Sequence, residues 1–113
     1  MPPTTPFLDT SDLPVEERRP GWRGRYFSSP SMTFANWEFA AGSDIHEHSH
    51  PQEEVWQIIE GTLQITVGGV TQVAGPGMVA IVPAHTPHSV VALTDGRAHV
   101  VDWPLREGFG GQP

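Results

Sequence analysis

A chain of 113 residues with one composition regime throughout fits one domain and one core, burying roughly two thirds of its unfolded-chain surface. Six Lys+Arg against 13 Asp+Glu give a formal charge of −7, which excludes the basic footprint that nucleic acid requires. The absence of cysteine excludes thiolate nucleophiles, disulfides and sulfur-ligated clusters, so any metal must be held by nitrogen and oxygen.

The first 21 residues carry prolines at 2, 3, 6, 14 and 20, which rules out a long helix or a central strand and predicts an extended arm. Within it, residues 12 to 18 are expected to form one helical turn with Asp12 as N-cap. Neither a basic segment nor an apolar run suited to a secretory signal opens the chain, and no stretch reaches membrane-spanning length, so a soluble, cytoplasmic protein is expected. All six cations are arginines, four of them between Arg18 and Arg25; this cluster reads as a solvated segment pairing with Glu16 and Glu17.

From Arg25 onward Gly and Pro, 12 of each in the chain, leave no run long enough for an ordinary helix. The pattern predicts strands at 25–28, 32–40, 44–50, 53–60, 62–67, 70–74, 78–82, 87–93 and 97–103. Leu63, Ile65 and Val67 alternate with Thr62, Gln64 and Thr66, and Gly68-Gly69 marks a hairpin turn to the next strand. Many short antiparallel strands at this spacing make an all-β sandwich or barrel. Trp22, Trp37 and Trp103 read as core or interface aromatics.

The chemistry concentrates in residues 42–61, GSDIHEHSHPQEEVWQIIEG. Residues two apart on a strand share a face, so His48 and His50 project together, whereas His46 and His50 lie about 13 Å apart, too far to reach one ion. After the turn at Pro51-Gln52, an inward Glu54 would bring a carboxylate beside the imidazoles, with Trp56, Ile58 and Glu60 facing the same way. Trp56, His46 and Val90 are candidate pocket walls. His88 opens a later strand, with Val90 and Ala92 facing the same way, and supplies a fourth ligand from a distant segment. His85, between two prolines, reads as a rim or packing residue, and His99 as a surface or core histidine.

These residues resemble the two motifs of the cupin family. The first, Gly-x5-His-x-His-x3-Glu-x6-Gly, is met by Gly42, His48, His50, Glu54 and Gly61. The second, Gly-x5-Pro-x-Gly-x2-His-x3-Asn, is met by Gly77, Pro83 and His88, with His85 where glycine is usual and Ala92 where asparagine is usual. The segment from Asp102 to Phe109 resembles the tail of many small cupins. The resemblance implies an antiparallel double-stranded β-helix, or jelly-roll barrel, over 25–109, preceded by a Pro-rich arm over 1–24 and followed by a tail over 110–113. It implies the metal ligands His48, His50, Glu54 and His88, the same set that strand parity reaches.

Three imidazoles and one carboxylate suit one divalent ion of Fe, Mn, Ni, Cu or Zn, and a six-coordinate ion so held keeps two positions open. The expected function is that of a metal-dependent enzyme on a small organic substrate, leaning to dioxygenase-like oxidation, with isomerase, lyase or non-catalytic binding and sensing roles as alternatives. No individual catalytic residue is assigned. The expected partners are a small molecule and a second copy in a homodimer, with neither nucleic acid nor membrane.

Overall fold

The computed structural model describes residues 5–106. Across these residues ten strands form two antiparallel sheets: β1 (Glu16–Arg19), β2 (Trp22–Ser28), β3 (Thr33–Phe39), β4 (Asp44–His48), β5 (Glu53–Glu60), β6 (Leu63–Val67), β7 (Val70–Ala74), β8 (Val79–Val82), β9 (His88–Ala92) and β10 (Gly96–Trp103). The larger sheet runs in the order β1-β2-β3-β10-β5-β8 and the smaller β4-β9-β6-β7. Among the described residues no helix is long and apolar enough to cross a membrane. The expected tail over 110–113, and the end of the tail resemblance, lie outside the described residues.

The two sheets face each other across a core drawn from alternate residues. Trp22 and Tyr26 of β2, Trp37 and Phe39 of β3, Trp56 and Ile58 of β5, Leu63 and Ile65 of β6, Val90 and Ala92 of β9, and Ala98 and Val100 of β10 are all buried. Period-two burial on both sheets is what a pleated, half-buried strand produces. Trp22, Trp37 and Trp56 form the centre, with ring centroids 5.2 to 6.0 Å apart. The Trp37 indole N–H donates to the Tyr26 hydroxyl at 2.8 Å, so the cluster keeps that polar atom satisfied. Truncating one such ring to alanine costs about 3–5 kcal/mol.

The hairpin at Gly68-Gly69 forms as expected, with φ of 55° and 83° at the two glycines, the left-handed pair that a two-residue turn between twisted strands requires. Gly61 adopts φ 78°, and a Cβ there would stand 2.2 Å from the Asp95 carbonyl oxygen, so the position excludes any side chain.

The N-terminal segment differs from expectation. No helical turn forms over 12–18. A 3-10 turn occupies Thr10–Asp12 instead, capped by Asp9, whose carboxylate accepts the Ser11 N–H at 3.0 Å. Residues 16–19 add an edge strand to β2, and β2 begins at Trp22, so the large sheet starts within the segment expected as an arm. The physical reason is that an isolated helical turn bears the whole cost of nucleation, whereas four extended residues gain ladder bonds from a strand already in place.

Candidate metal centre

At one end of the sandwich the inward-facing positions change from apolar to ionisable. On the large sheet one cross-strand row reads Thr33, Asp102, Glu54, Val82, next to the apolar row Ala35, Val100, Trp56, Ala80. On the small sheet His48 stands directly opposite His88. Glu54, His88, Asp102 and Thr33 are the buried polar residues among those described.

A bulge on β4 shapes this end. Ile45 pairs with Val90 and His48 with His88, so three steps on β4 match two on β9. The extra residue lets Ile45 reach the core and His48 reach the site, although strict alternation would turn one of them out. β4 ends at His48, and His50 enters from the following turn rather than from the strand expected to reach residue 50.

The nitrogens of His48, His50 and His88 lie within 4.8 Å of one another, and His50, Glu54 and Asp102 form a second such group. The four expected ligands are thus at one end of the core, with the three histidines as one tight cluster and Glu54 leaning on its edge. Each imidazole is oriented the same way. Nδ1 of His48, His50 and His88 meets the carbonyl of His46, Gln52 and Thr86 at 2.9, 3.1 and 2.8 Å. Donation from Nδ1 fixes the tautomer and leaves every Nε2 lone pair for the site, the outer-shell support that metal-binding histidines use.

Glu54 is held tightly. The Trp56 indole donates to its Oε2 at 2.6 Å, and His50 Nε2 and His88 Nε2 stand 3.3 Å from its two oxygens. Burial by itself would raise the Glu54 pKa, but the close approach of His50 and His88, together with the contacts from Asp102 and Trp56, outweighs it and holds the carboxyl well below its ordinary range. Burial lowers the pKa of His48; at His88 burial is overcome by the contacts with Glu54 and the Thr86 carbonyl, and the pKa rises.

Asp102 was not among the expected ligands. Burial, followed by the charge of Glu54, pushes its carboxyl up to about 8, so it holds a proton at neutral pH in the metal-free protein. Its Oδ1 is buried without a hydrogen-bond partner. The signal was present in RAHVVDW, where Ala98, Val100 and Asp102 share one face: a carboxyl on a core-facing stripe. Beyond β10 the Arg106 N–H donates to Thr33 Oγ1 at 3.0 Å, which folds the chain back so that the guanidinium lies 3.5 Å from Asp102 and 3.7 Å from Glu54.

The candidate pocket walls separate. Trp56 lines a cavity of about 50 Å3 together with His48, Glu54, Trp37, Ile45 and Arg106. Val90 is buried in the core between Ile45 and Ile65, and His46 is exposed, contributing its carbonyl to His48. Glu60, expected on the inward face, is exposed and pairs with Arg97 at 3.1 Å. A ladder irregularity beside Ala98 breaks the alternation there. His85 is exposed with φ 63°, and its N–H donates to the His50 carbonyl at 2.8 Å. Larger concavities of about 680 and 840 Å3 lie elsewhere, one walled by charged residues that include the Arg97–Glu60 pair and the other by Phe7, Phe27 and Phe34; neither contains the histidine cluster.

The residues fit a divalent transition ion. Nε2 of His50 and of His88 are buried with no aligned hydrogen-bond partner, which is the state of ligand atoms awaiting an acceptor of their lone pairs. The donor set is nitrogen and oxygen with no sulfur, suited to Fe, Mn, Ni, Cu or Zn.

The sequence pattern of the cupin domain matches residues 35–104. The chain belongs to the cupin family. Among solved structures, this cupin superposes on an RmlC-like cupin from Shewanella frigidimarina with a TM-score of 0.85 at 24% identity, covering 92% of this chain and 95% of that one. It also superposes on a variant of the oxalate decarboxylase of Bacillus subtilis with a TM-score of 0.80 at 20% identity, covering 93% of this cupin and 31% of that chain. For a salicylate 1,2-dioxygenase of Pseudoaminobacter salicylatoxidans the TM-score is 0.71 at 19% identity, covering 75% and 25%. No curated protein matches the sequence. At these identities the superpositions establish the jelly-roll fold, and the two enzyme names show how different the reactions on it are.

Proposed function

We propose that this cupin is a metal-dependent enzyme that carries out proton transfer on a small organic substrate, in the manner of an isomerase or lyase. His48, His50, His88 and Glu54 would hold one divalent ion, and such an ion supplies Lewis acidity toward a substrate oxygen. The observation that carries the reading is Asp102, a fully buried carboxyl beside His50 and Glu54 with one oxygen unpartnered. With His48, His50, Glu54 and His88 as the ligands, Asp102 would be left to exchange a proton, as an enzyme that moves protons requires. Trp56 fixes Glu54 through its indole N–H, and the tryptophan cluster excludes water behind it. Arg106, bridging Asp102 and Glu54, steadies both carboxyl groups.

Asp102→Asn tests this directly. The variant keeps the shape and a hydrogen-bond donor but cannot take up and release the proton, so metal content should be retained while turnover falls by about 100-fold or more. Full turnover by a metal-loaded Asp102→Asn protein would sink the proton-transfer reading.

Dioxygenase-like oxidation is the second reading, favoured by the make-up of the donor set: three imidazoles and one carboxylate would leave two positions open on a six-coordinate ion. Oxygen uptake against solvent deuterium incorporation, across a panel of small acids and phenols, separates the two. Tight binding with neither would favour a non-catalytic binding domain.

A further inference from the structure

Six arginines serve an acidic chain, and most have evident partners. Arg18 pairs with Glu16 at 3.3 Å and lies over the Tyr26 ring at 3.8 Å; Arg25 donates to the Leu13 carbonyl at 3.3 Å; Arg97 pairs with Glu60. Arg19 differs. It stands opposite Trp22 in the β1–β2 ladder, and Trp22 is 1% exposed and faces the core, so Arg19 shares the inward face. Its side chain lines the same 50 Å3 cavity as His48, Glu54, Trp56 and Arg106, and it has no ion pair among the described residues. Glu54 is the carboxylate on this cavity wall and is already engaged by Trp56, His50, His88 and Arg106, so a half-buried arginine beside it is left to pair with a charge from outside.

Charge sharpens the point. With a dication on the histidine cluster, two guanidiniums and the ion outweigh Glu54, and they still outweigh it if Asp102 is ionised as well. The filled site is therefore positive inside a protein of formal charge −7. The cavity is small, so the recognised group must be compact, and the planar fork of arginine matches a carboxylate through two parallel N–H···O bonds.

We propose that Arg19, assisted by Arg106, forms a carboxylate-recognition subsite, and that the substrate is a small organic acid. This rests on the metal-dependent reading above for what happens to the acid, but not for its binding. Arg19 is a substrate-binding residue here, brought to the site by the edge strand β1 rather than by either cupin motif.

The test is binding of malonate, lactate and pyruvate, each against its uncharged amide, to the metal-loaded full chain by titration calorimetry, with inorganic phosphate as a further arm and metal content as the control. The wild type should prefer each acid over its amide by about tenfold or more, with affinity falling as salt rises. Arg19→Met, which keeps most of the apolar stem, should lose that preference while leaving amide affinity and metal content unchanged; Arg19→Lys, which keeps the charge without the fork, should fall between. Equal affinity of the wild type for acid and amide, tighter binding of phosphate than of any acid, or an Arg19→Met protein that retains the acid preference overturns the proposal. The wild-type comparison decides even if a variant fails to fold. Acid binding through Arg19 with no turnover would defeat the enzyme reading and leave this one standing, whereas turnover dependent on Asp102 with an unchanged Arg19→Met acid preference would do the reverse.

Discussion

At the scale of single residues, the side chains that gather at the candidate site were legible because imidazoles and a carboxylate at inward positions of strands are uncommon in a core. Asp102 and Arg19 were not read, for opposite reasons. Asp102 hid in a stripe that otherwise looked like core, and Arg19 in a charge cluster that looked like solvated surface; only the register with Trp22 turns it inward. The raised pKa of Asp102 gives a stability prediction. Its folded value of about 8 lies above the ordinary aspartate value of about 4, so between those limits the folded metal-free protein holds a proton that the unfolded chain has released. Stability therefore falls as pH rises through this window and levels off above it. Metal-free Asp102→Asn should match the wild type near pH 4 and exceed its melting temperature above pH 8; a constant difference across that range would refute the assignment. His85 supplies another. Its φ of 63° is one that glycine occupies without strain, so His85→Gly should stabilise the fold by about 1 kcal/mol in urea denaturation, and a loss of stability would mean that the imidazole makes a compensating contact.

At the scale of elements, eight of the nine expected strands lie within a residue or two of their observed limits, because Gly and Pro punctuate the chain and alternation does the rest. What escaped was cross-strand information. The β4 bulge depends on β9, and β1 exists because β2 offers it an edge, neither of which a local pattern contains. Turn chemistry yields a paired prediction. Gly69 and Gly61 have nearly the same φ, 83° and 78°, but a Cβ on Gly69 meets nothing within 4 Å while one on Gly61 meets the Asp95 carbonyl at 2.2 Å. Gly69→Ala should cost about 1 kcal/mol from backbone strain alone, and Gly61→Ala distinctly more; equal costs by chemical denaturation would contradict the steric argument.

At the scale of the whole molecule, the candidate site joins the two sheets. His48 and His88 belong to the smaller sheet, Glu54 and Asp102 to the larger. An ion bound to both therefore acts as a staple across the core, and a chelator should lower the melting temperature in proportion to the logarithm of the affinity lost; an unchanged transition would contradict a bridging ion. The homodimer is proposed on the outer face of the larger sheet, where Phe27, Phe34, Val101, Val55 and Ile81 form one apolar row across five strands. At about 4.8 Å per strand this face is wide enough for a standard interface. Sedimentation should give a dimer that Ile81→Glu weakens, and a wild-type monomer at working concentration would exclude it.

One ion held by His48, His50, Glu54 and His88 is the proposal on which the chemistry depends. The most direct measurement is metal content after chelation and reconstitution with each candidate ion, in the wild type and in His88→Ala. One tightly held ion per wild-type chain is expected, with a joint loss of metal and turnover in His88→Ala. A wild type that retains none of these ions, or a metal-free His88→Ala that still turns over its substrate, would contradict it.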